Sequence, residues 1–315
     1  MTNRDFIKDA LLGVATGDAI GVPVEFRSRA ELLQKPVTGM QGYGSHHQPP
    51  GTWSDDSSLT FCLAEMLCGK YDLQNLASRF INWKNNSWWT PHGEVFDMGI
   101  ATSVAISKLE RGDLPIMAGG RDVSSNGNGS LMRILPLLFY IRDKNIDKRF
   151  LIVKDVSSLT HGHIRSILAC FIYLELALEI RAGKEKKEAY RKTCDTIKTF
   201  LDETATCTTE EATHFERILS GNIHKLWNDE IHSSGYVIHT LEASLWCLLN
   251  SDNYADAVLK AANLGSDTDT TAAVTGGLAG LLYGWETIPP EWISSLARKE
   301  DIGELSKRLN AKLRS

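Results

Sequence analysis

None of the six cysteines in this 315-residue chain (Cys62, Cys68, Cys170, Cys194, Cys207, Cys247) is spaced from another as CxxC, and most lie inside apolar helical runs. They read as reduced core residues, which favours the cytoplasm. Long basic tracts are missing too: 34 Lys and Arg against 39 Asp and Glu leave a net charge of −5. A nucleic-acid backbone is therefore not an indicated partner. No run is long and apolar enough to span a bilayer, so no membrane is indicated, and Met1-Thr2-Asn3-Arg4-Asp5 leads into an amphipathic helix rather than an apolar signal core. Sustained period-two alternation is hard to find, and neither linkers rich in Pro, Gly or Ser nor repeats of solenoid period occur. What is left, at 43% hydrophobic and 23% charged residues, is an ordinary globular composition with a large core, expected as one domain over residues 1–315.

Apolar residues recur at helical spacing in nearly every segment, which predicts an all-α fold, a compact orthogonal helical bundle. Expected helices include 5–15, 57–68, 73–83, 98–111, 130–141, 163–181, 186–203, 210–219, 237–249, 254–263 and 270–283. Gly69, Gly112, Gly183, Gly221, Gly265 and Gly284 fall just past helical runs, where a left-handed C-cap residue is favoured. The charged run 184–188 marks a solvated helix start. Irregular, glycine-rich stretches at 16–26, 39–53, 118–129 and 233–236 exceed what connecting helices requires, so they are the expected walls of a pocket.

Two short acidic clusters carry the chemistry: Ser54-Asp55-Asp56 and Asp267-Thr268-Asp269-Thr270. Each sets carboxylates beside a hydroxyl where a helix begins, with no Cys or His inside. Such oxygen-only donors suit Mg²⁺ or Mn²⁺ rather than zinc or copper. The alternative is helix capping, because Asp, Ser and Thr satisfy the first unpaired N–H groups of a helix. One cap needs one side chain, whereas converging carboxylates repel unless a cation neutralises them.

Other segments leave two readings open. The run Gly13 to Glu25 ends the first helix in small residues and delivers a carboxylate beyond Pro23, either as close helix packing with Glu25 a surface acid or as part of a site. Asn126-Gly127-Asn128-Gly129-Ser130 leads into the expected 130–141 helix, a junction suited to binding a diphosphate or to a capped turn. Thr160-His161-Gly162-His163 has too few ligands for zinc, so His161 is expected to contact a ligand. Glu211 and His214 match half of a di-iron Glu-x-x-His motif whose second copy is missing, leaving a surface pair.

Taken together, Gly17-Asp18-Ala19-x-Gly21-x-Pro23-x-Glu25, Thr52-Trp53-Ser54-Asp55-Asp56, Asn128-Gly129-Ser130-x-Met132-Arg133, Thr160-His161-Gly162-His163 and Gly265-Ser266-Asp267-Thr268-Asp269-Thr270 resemble the ADP-ribosylglycohydrolases, in particular the dinitrogenase reductase-activating type. The resemblance implies an all-α orthogonal bundle with a cleft holding two Mg²⁺ or Mn²⁺ ions, ligated by Ser54, Asp55, Asp56, Asp267, Asp269 and Thr270. It implies Glu25 as an acidic residue beside the metals and Asp97 near the scissile bond, with either managing the proton. Asn126, Gly127, Asn128, Gly129, Ser130 and Met132 would line the diphosphate and ribose, His161 the adenosine half, and Tyr236 the distal ribose. The implied activity is hydrolysis of the bond joining ADP-ribose to a protein side chain, arginine favoured. Other readings are an immunity protein that reverses or blocks the mark of an ADP-ribosylating toxin, a crystallin-like structural or ADP-ribose-binding protein, and a generic two-metal phosphohydrolase.

Overall fold

A computed structural model describes residues 4–314; Met1 to Asn3 and Ser315 lie outside the described residues, so the expected entry into the first helix is seen from Arg4 onward. Eleven longer helices, taken in chain order, carry the architecture. They are α1 (Phe6–Gly21), α2 (Asp55–Leu67), α3 (Leu73–Asn86), α4 (Ile100–Glu110), α5 (Ile146–Ser157), α6 (Ile164–Arg181), α7 (Lys186–Glu203), α8 (Val237–Leu249), α9 (Tyr254–Ala262), α10 (Thr268–Tyr283) and α11 (Lys299–Arg314). Among the described residues there is no sheet, only two isolated bridges, Gly120 with His161 and Gly127 with Tyr236. The all-α expectation therefore holds. No helix of the described residues is long and apolar enough to cross a membrane.

The centre of the fold is the seam between α1 and α10. Glycines let the two backbones touch: a Cβ at Gly17 would sit 2.1 Å from the Ala272 carbonyl oxygen, and one at Gly21 would sit 2.3 Å from Asp269 Cα. Both helices are buried along most of their length, with α9, α8 and α6 packed on α10 and with α2 and α11 on α1. Tyr254 Oη donates to the Gly13 carbonyl at 2.7 Å and Tyr173 Oη to the Val274 carbonyl at 3.0 Å, which locks α9 and α6 onto the seam. The result places the C-terminal end of α1 beside the N-terminal end of α10.

Three expected helices differ. The first, expected over 5–15, runs on to Gly21, so residues 16–21 of the stretch expected to be irregular are helical. Residues 130–134 form turns, and helix resumes only with a 3-10 turn at Leu135–Leu137 followed by Leu138–Ile141. Pro136 has no N–H for the i→i−4 ladder and crowds the preceding turn. Residues 210–219 split into Thr209–Thr213 and Glu216–Leu219. There Glu211 does not pair with His214; it receives both arms of Arg165 from α6 at 2.7 and 2.9 Å, a planar bidentate match.

Candidate active site

Three helix ends deliver the carboxylates. Ser54 caps α2 by accepting from the Asp56 N–H at 3.3 Å, which leaves Asp55 and Asp56 in the first turn. At α10 the capping explanation fails, because the N-cap residue Asp267 makes no side-chain cap hydrogen bond. Its Oδ2 instead accepts from Asn128 Nδ2 at 2.8 Å. Reciprocal backbone bonds between Phe26 and Ser266 and between Ser266 and Arg27, each 2.7 Å, pin the Glu25 segment against the loop that leads into α10. Ser266 and Gly265 adopt the left-handed conformation there, with φ of 65° and 79°. At Gly265 a side chain would also collide with Arg29 N, 2.6 Å from its Cβ position, so the tight turn requires glycine.

Oxygens of Asp18, Asp56 and Asp269 lie within 4.8 Å of one another, and so do those of Glu25, Asp267 and Asp269. Asp269 belongs to both triads, which makes one continuous acidic centre with two lobes. Thr270 Oγ1 donates to Asp56 Oδ1 at 3.3 Å, and Asp269 Oδ1 accepts from the Thr270 N–H at 2.8 Å. Asp56 Oδ2 is buried and has no hydrogen-bond partner among the described residues. An orphaned buried carboxylate oxygen facing other carboxylates is what a hard cation would satisfy, so the donor set fits a divalent metal.

The electrostatics agree. Burial, reinforced by neighbouring acids, holds Asp55, Asp56 and Asp269 well above the usual carboxylate range, and burial raises Asp267 despite its bond from Asn128. Two unit charges roughly 4 Å apart repel by about 4 kcal/mol at an effective dielectric of about 20. With several such pairs in one place, the ionised cluster needs a compensating positive charge.

Two residues in this centre were given no role by sequence reasoning. Asp18, fully buried on α1, accepts from the Ser54 N–H on both oxygens at 3.0 Å, from the Ser57 N–H at 3.0 Å and from Ser57 Oγ at 2.6 Å. Burial raises its pKa to about 6 against those bonds. The signal available was its place in the Gly17-Asp18-Ala19 motif among small residues of α1. His46, in the glycine-rich 39–53 stretch, pairs with Glu25 and sits between the rings of Phe26 and Phe96 at 5.9 and 5.3 Å. Glu25 is not a surface acid: it is 5% exposed, and burial raises its pKa to about 7 while the His46 bond acts the other way. Asp97, at a left-handed φ of 51°, groups with Glu25 and His46.

Glu25, Asp55, Asp97, Asp267 and Thr270 line a cleft of about 220 Å³, whose other wall is formed by Gly127, Asn128, Gly129, Met132 and His161. Three expected lining residues have their side chains engaged elsewhere. Asn126 Nδ2 donates to the Val123 carbonyl, Ser130 Oγ bonds Ser157 and Cys170, and Tyr236 Oη accepts from Arg165 at 3.4 Å. A larger groove of about 830 Å³ at the opposite end of α1 has its charges neutralised locally, as in Arg4 with Asp9 and Lys307 with Glu304.

Comparison with known proteins gives the same picture. The ADP-ribosylglycohydrolase family model matches residues 1–315. ADP-ribosylarginine hydrolase Tri1 of Serratia proteamaculans (strain 568) is 33% identical over 308 residues, covering 97% of this chain and 79% of that protein. ADP-ribosyl-(dinitrogen reductase) glycohydrolase of Rhodospirillum rubrum is 26% identical over 309 residues, covering 96% and 94%. A solved structure described as an ADP-ribosylglycohydrolase-related protein complex superposes with a TM-score of 0.79 at 28% identity, over 98% of both chains. On the full-length match and the relatedness to Tri1, the chain belongs to the ADP-ribosylglycohydrolase family.

Proposed function

We propose that this protein is a hydrolase that releases ADP-ribose from a modified protein side chain, with arginine the preferred acceptor. Relatives named for ADP-ribosylarginine and for ADP-ribosylated dinitrogen reductase support that substrate class. The observation that carries the reading is the two-lobed acidic centre sharing Asp269, with the orphaned Asp56 Oδ2 inside it. Asp56, Asp269, Asp267 and Asp18 would hold two Mg²⁺ or Mn²⁺ ions, with Asp55, Ser54 and Thr270 at their edge. When bound, such ions supply positive charge that orients ribose hydroxyls and acidifies water.

The chain's own groups do the rest. Hydrolysis breaks the bond from the anomeric carbon to the guanidino nitrogen, forms a bond from that carbon to a water oxygen, and leaves one water proton on the nitrogen. The transition state resembles an oxocarbenium ion. Glu25, held by His46 at the cleft, is the group to take and return that proton, with Asp97 beside it. Gly127 and Gly129 leave room for the diphosphate, and Asn128 ties their loop to Asp267. The same chemistry would erase a regulatory mark or one installed by a toxin. Incubation with ADP-ribosyl-arginine, -serine and -nucleobase substrates, each with Mg²⁺ or Mn²⁺, tests this. Intact ADP-ribose should appear first from the arginine substrate; AMP or free phosphate as the product would instead indicate a phosphohydrolase.

A further inference from the structure

We infer that Arg133 and Thr160 are positioning residues that fix His161 as a neutral imidazole donating from Nε2 into the cleft, toward diphosphate oxygens of ADP-ribose. The identity of that ligand rests on the function proposed above, whereas the tautomer does not.

Arg133 is fully buried with no carboxylate beside it, an unusual setting for a guanidinium. It lies over the Phe80 ring at 4.9 Å, and its Nη2 donates to Thr160 Oγ1 at 2.7 Å and to the Val156 carbonyl at 3.3 Å. Among the described residues Thr160 Oγ1 has one other hydrogen-bond partner, His161 Nδ1 at 2.9 Å. A guanidinium can only donate, so Arg133 occupies a lone pair of the Thr160 oxygen. The hydroxyl hydrogen then has a single place to go, which is Nδ1. If Nδ1 carried the ring proton and donated to Thr160, a fully buried hydroxyl hydrogen would be left without an acceptor. Nδ1 is therefore an acceptor, and the ring proton sits on Nε2.

The free edge of that ring faces the cleft. Nε2 has no partner among the described residues, and it lies 3.3 Å from where a Cβ at Gly127 would be, while Cε1 lies 2.7 Å from the equivalent point at Gly129. Burial first, and then the charge of Arg133, push the His161 pKa down to about 3, which keeps the ring neutral. The charged side chains lining the cleft, Glu25, Asp55, Asp97 and Asp267, are all acids that repel an anion in the absence of metal. One N–H donor backed by a buried cation provides the wall where phosphate oxygens can rest.

The test is ¹⁵N NMR of histidine-labelled full-length protein, with ADP-ribose titrations of wild type, Thr160→Ser and Thr160→Val, all Mg²⁺-loaded. Wild type and the serine variant should show His161 neutral and protonated on Nε2 near neutral pH. The valine variant, whose ring has lost its anchor, should bind ADP-ribose roughly tenfold more weakly, with an unchanged Mg²⁺-induced melting shift. A wild-type Nδ1–H tautomer, readable without any variant, overturns the assignment, as does a valine variant that binds ADP-ribose as tightly as wild type. The expected tautomer in a wild type that does not bind ADP-ribose would uphold the relay and overturn the ligand reading instead.

Discussion

Replacing Gly17 by alanine adds one methyl at the point where α1 and α10 touch. That carbon would stand 2.1 Å from the Ala272 carbonyl oxygen and 2.8 Å from its carbon, so relief requires the helices to part by about an ångström. Backbone cannot rotate away as a side chain does, which puts the overpacking cost near the upper end of its usual range, about 3 kcal/mol. Alanine returns about 1 kcal/mol in helix propensity. The net loss of about 2 kcal/mol corresponds to a melting-temperature drop of roughly 3 °C in a chain this long. Because Asp269 lies one turn from Ala272, the displacement also moves it relative to Asp18 and Asp56. A misplacement of about 1 Å costs roughly a hundredfold in turnover. Gly303→Ala is the control: no heavy atom lies within 4 Å of the added carbon, so it should stabilise α11 by about 0.5–1 kcal/mol and leave activity alone. Circular dichroism melts and mass detection of released ADP-ribose read both effects. If Gly17→Ala melted and turned over like wild type, the glycine seam would not be what sets the site.

Asp269→Asn should abolish turnover, leave metal-free stability equal or higher through relieved repulsion, and lose most of the Mg²⁺-induced melting shift; an undiminished shift would remove Asp269 from the centre. In chelator, stability should fall with rising pH. Asp18 and Glu25 have folded pKa values raised to about 6 and about 7, so between about pH 4 and 7 the folded state holds more protons than the unfolded one, and stability present below about pH 4 is lost through that window. Melts across that range should be steeper without Mg²⁺ than with it, and a rise in stability with pH in chelator would contradict the burial of these acids. Gly129→Val directs a side chain at His161 Cε1, 2.7 Å from the Cβ position, and at Thr102 Oγ1, 3.0 Å away. It should weaken ADP-ribose binding by about 1–3 kcal/mol by calorimetry while metal binding persists.

The acidic centre was legible where local sequence reports it. Carboxylates and hydroxyls grouped at helix starts pointed to Asp55, Asp56, Asp267, Asp269 and Thr270, and their convergence follows from which helix ends the fold brings together. Asp18 stood inside the Gly17-Asp18-Ala19 motif, but its role was not legible, because its partners Ser54 and Ser57 lie 36 and 39 residues away. The burial of Glu25 has the same cause: it depends on the Phe26 and Ser266 backbone pairing across the fold. Expecting a helix from Ser130 gave apolar spacing more weight than Pro136, and chain geometry prevailed. Helices α5 and α11 were absent from the expected set; in α11 the apolar stripe is thin, its buried apolar residues being Ile302, Leu305 and Leu309 amid charge.

The most direct question is whether a cation held between α1, α2 and α10 is needed for release of intact ADP-ribose. ADP-ribosyl-arginine hydrolysis should be followed by mass in protein stripped with EDTA and then resupplied with Mg²⁺, Mn²⁺ or Zn²⁺, beside Asp56→Asn treated identically. The prediction is loss on stripping, recovery with Mg²⁺ or Mn²⁺ but not Zn²⁺, and no recovery in the variant. Turnover that survives EDTA, or that Asp56→Asn retains, would contradict it.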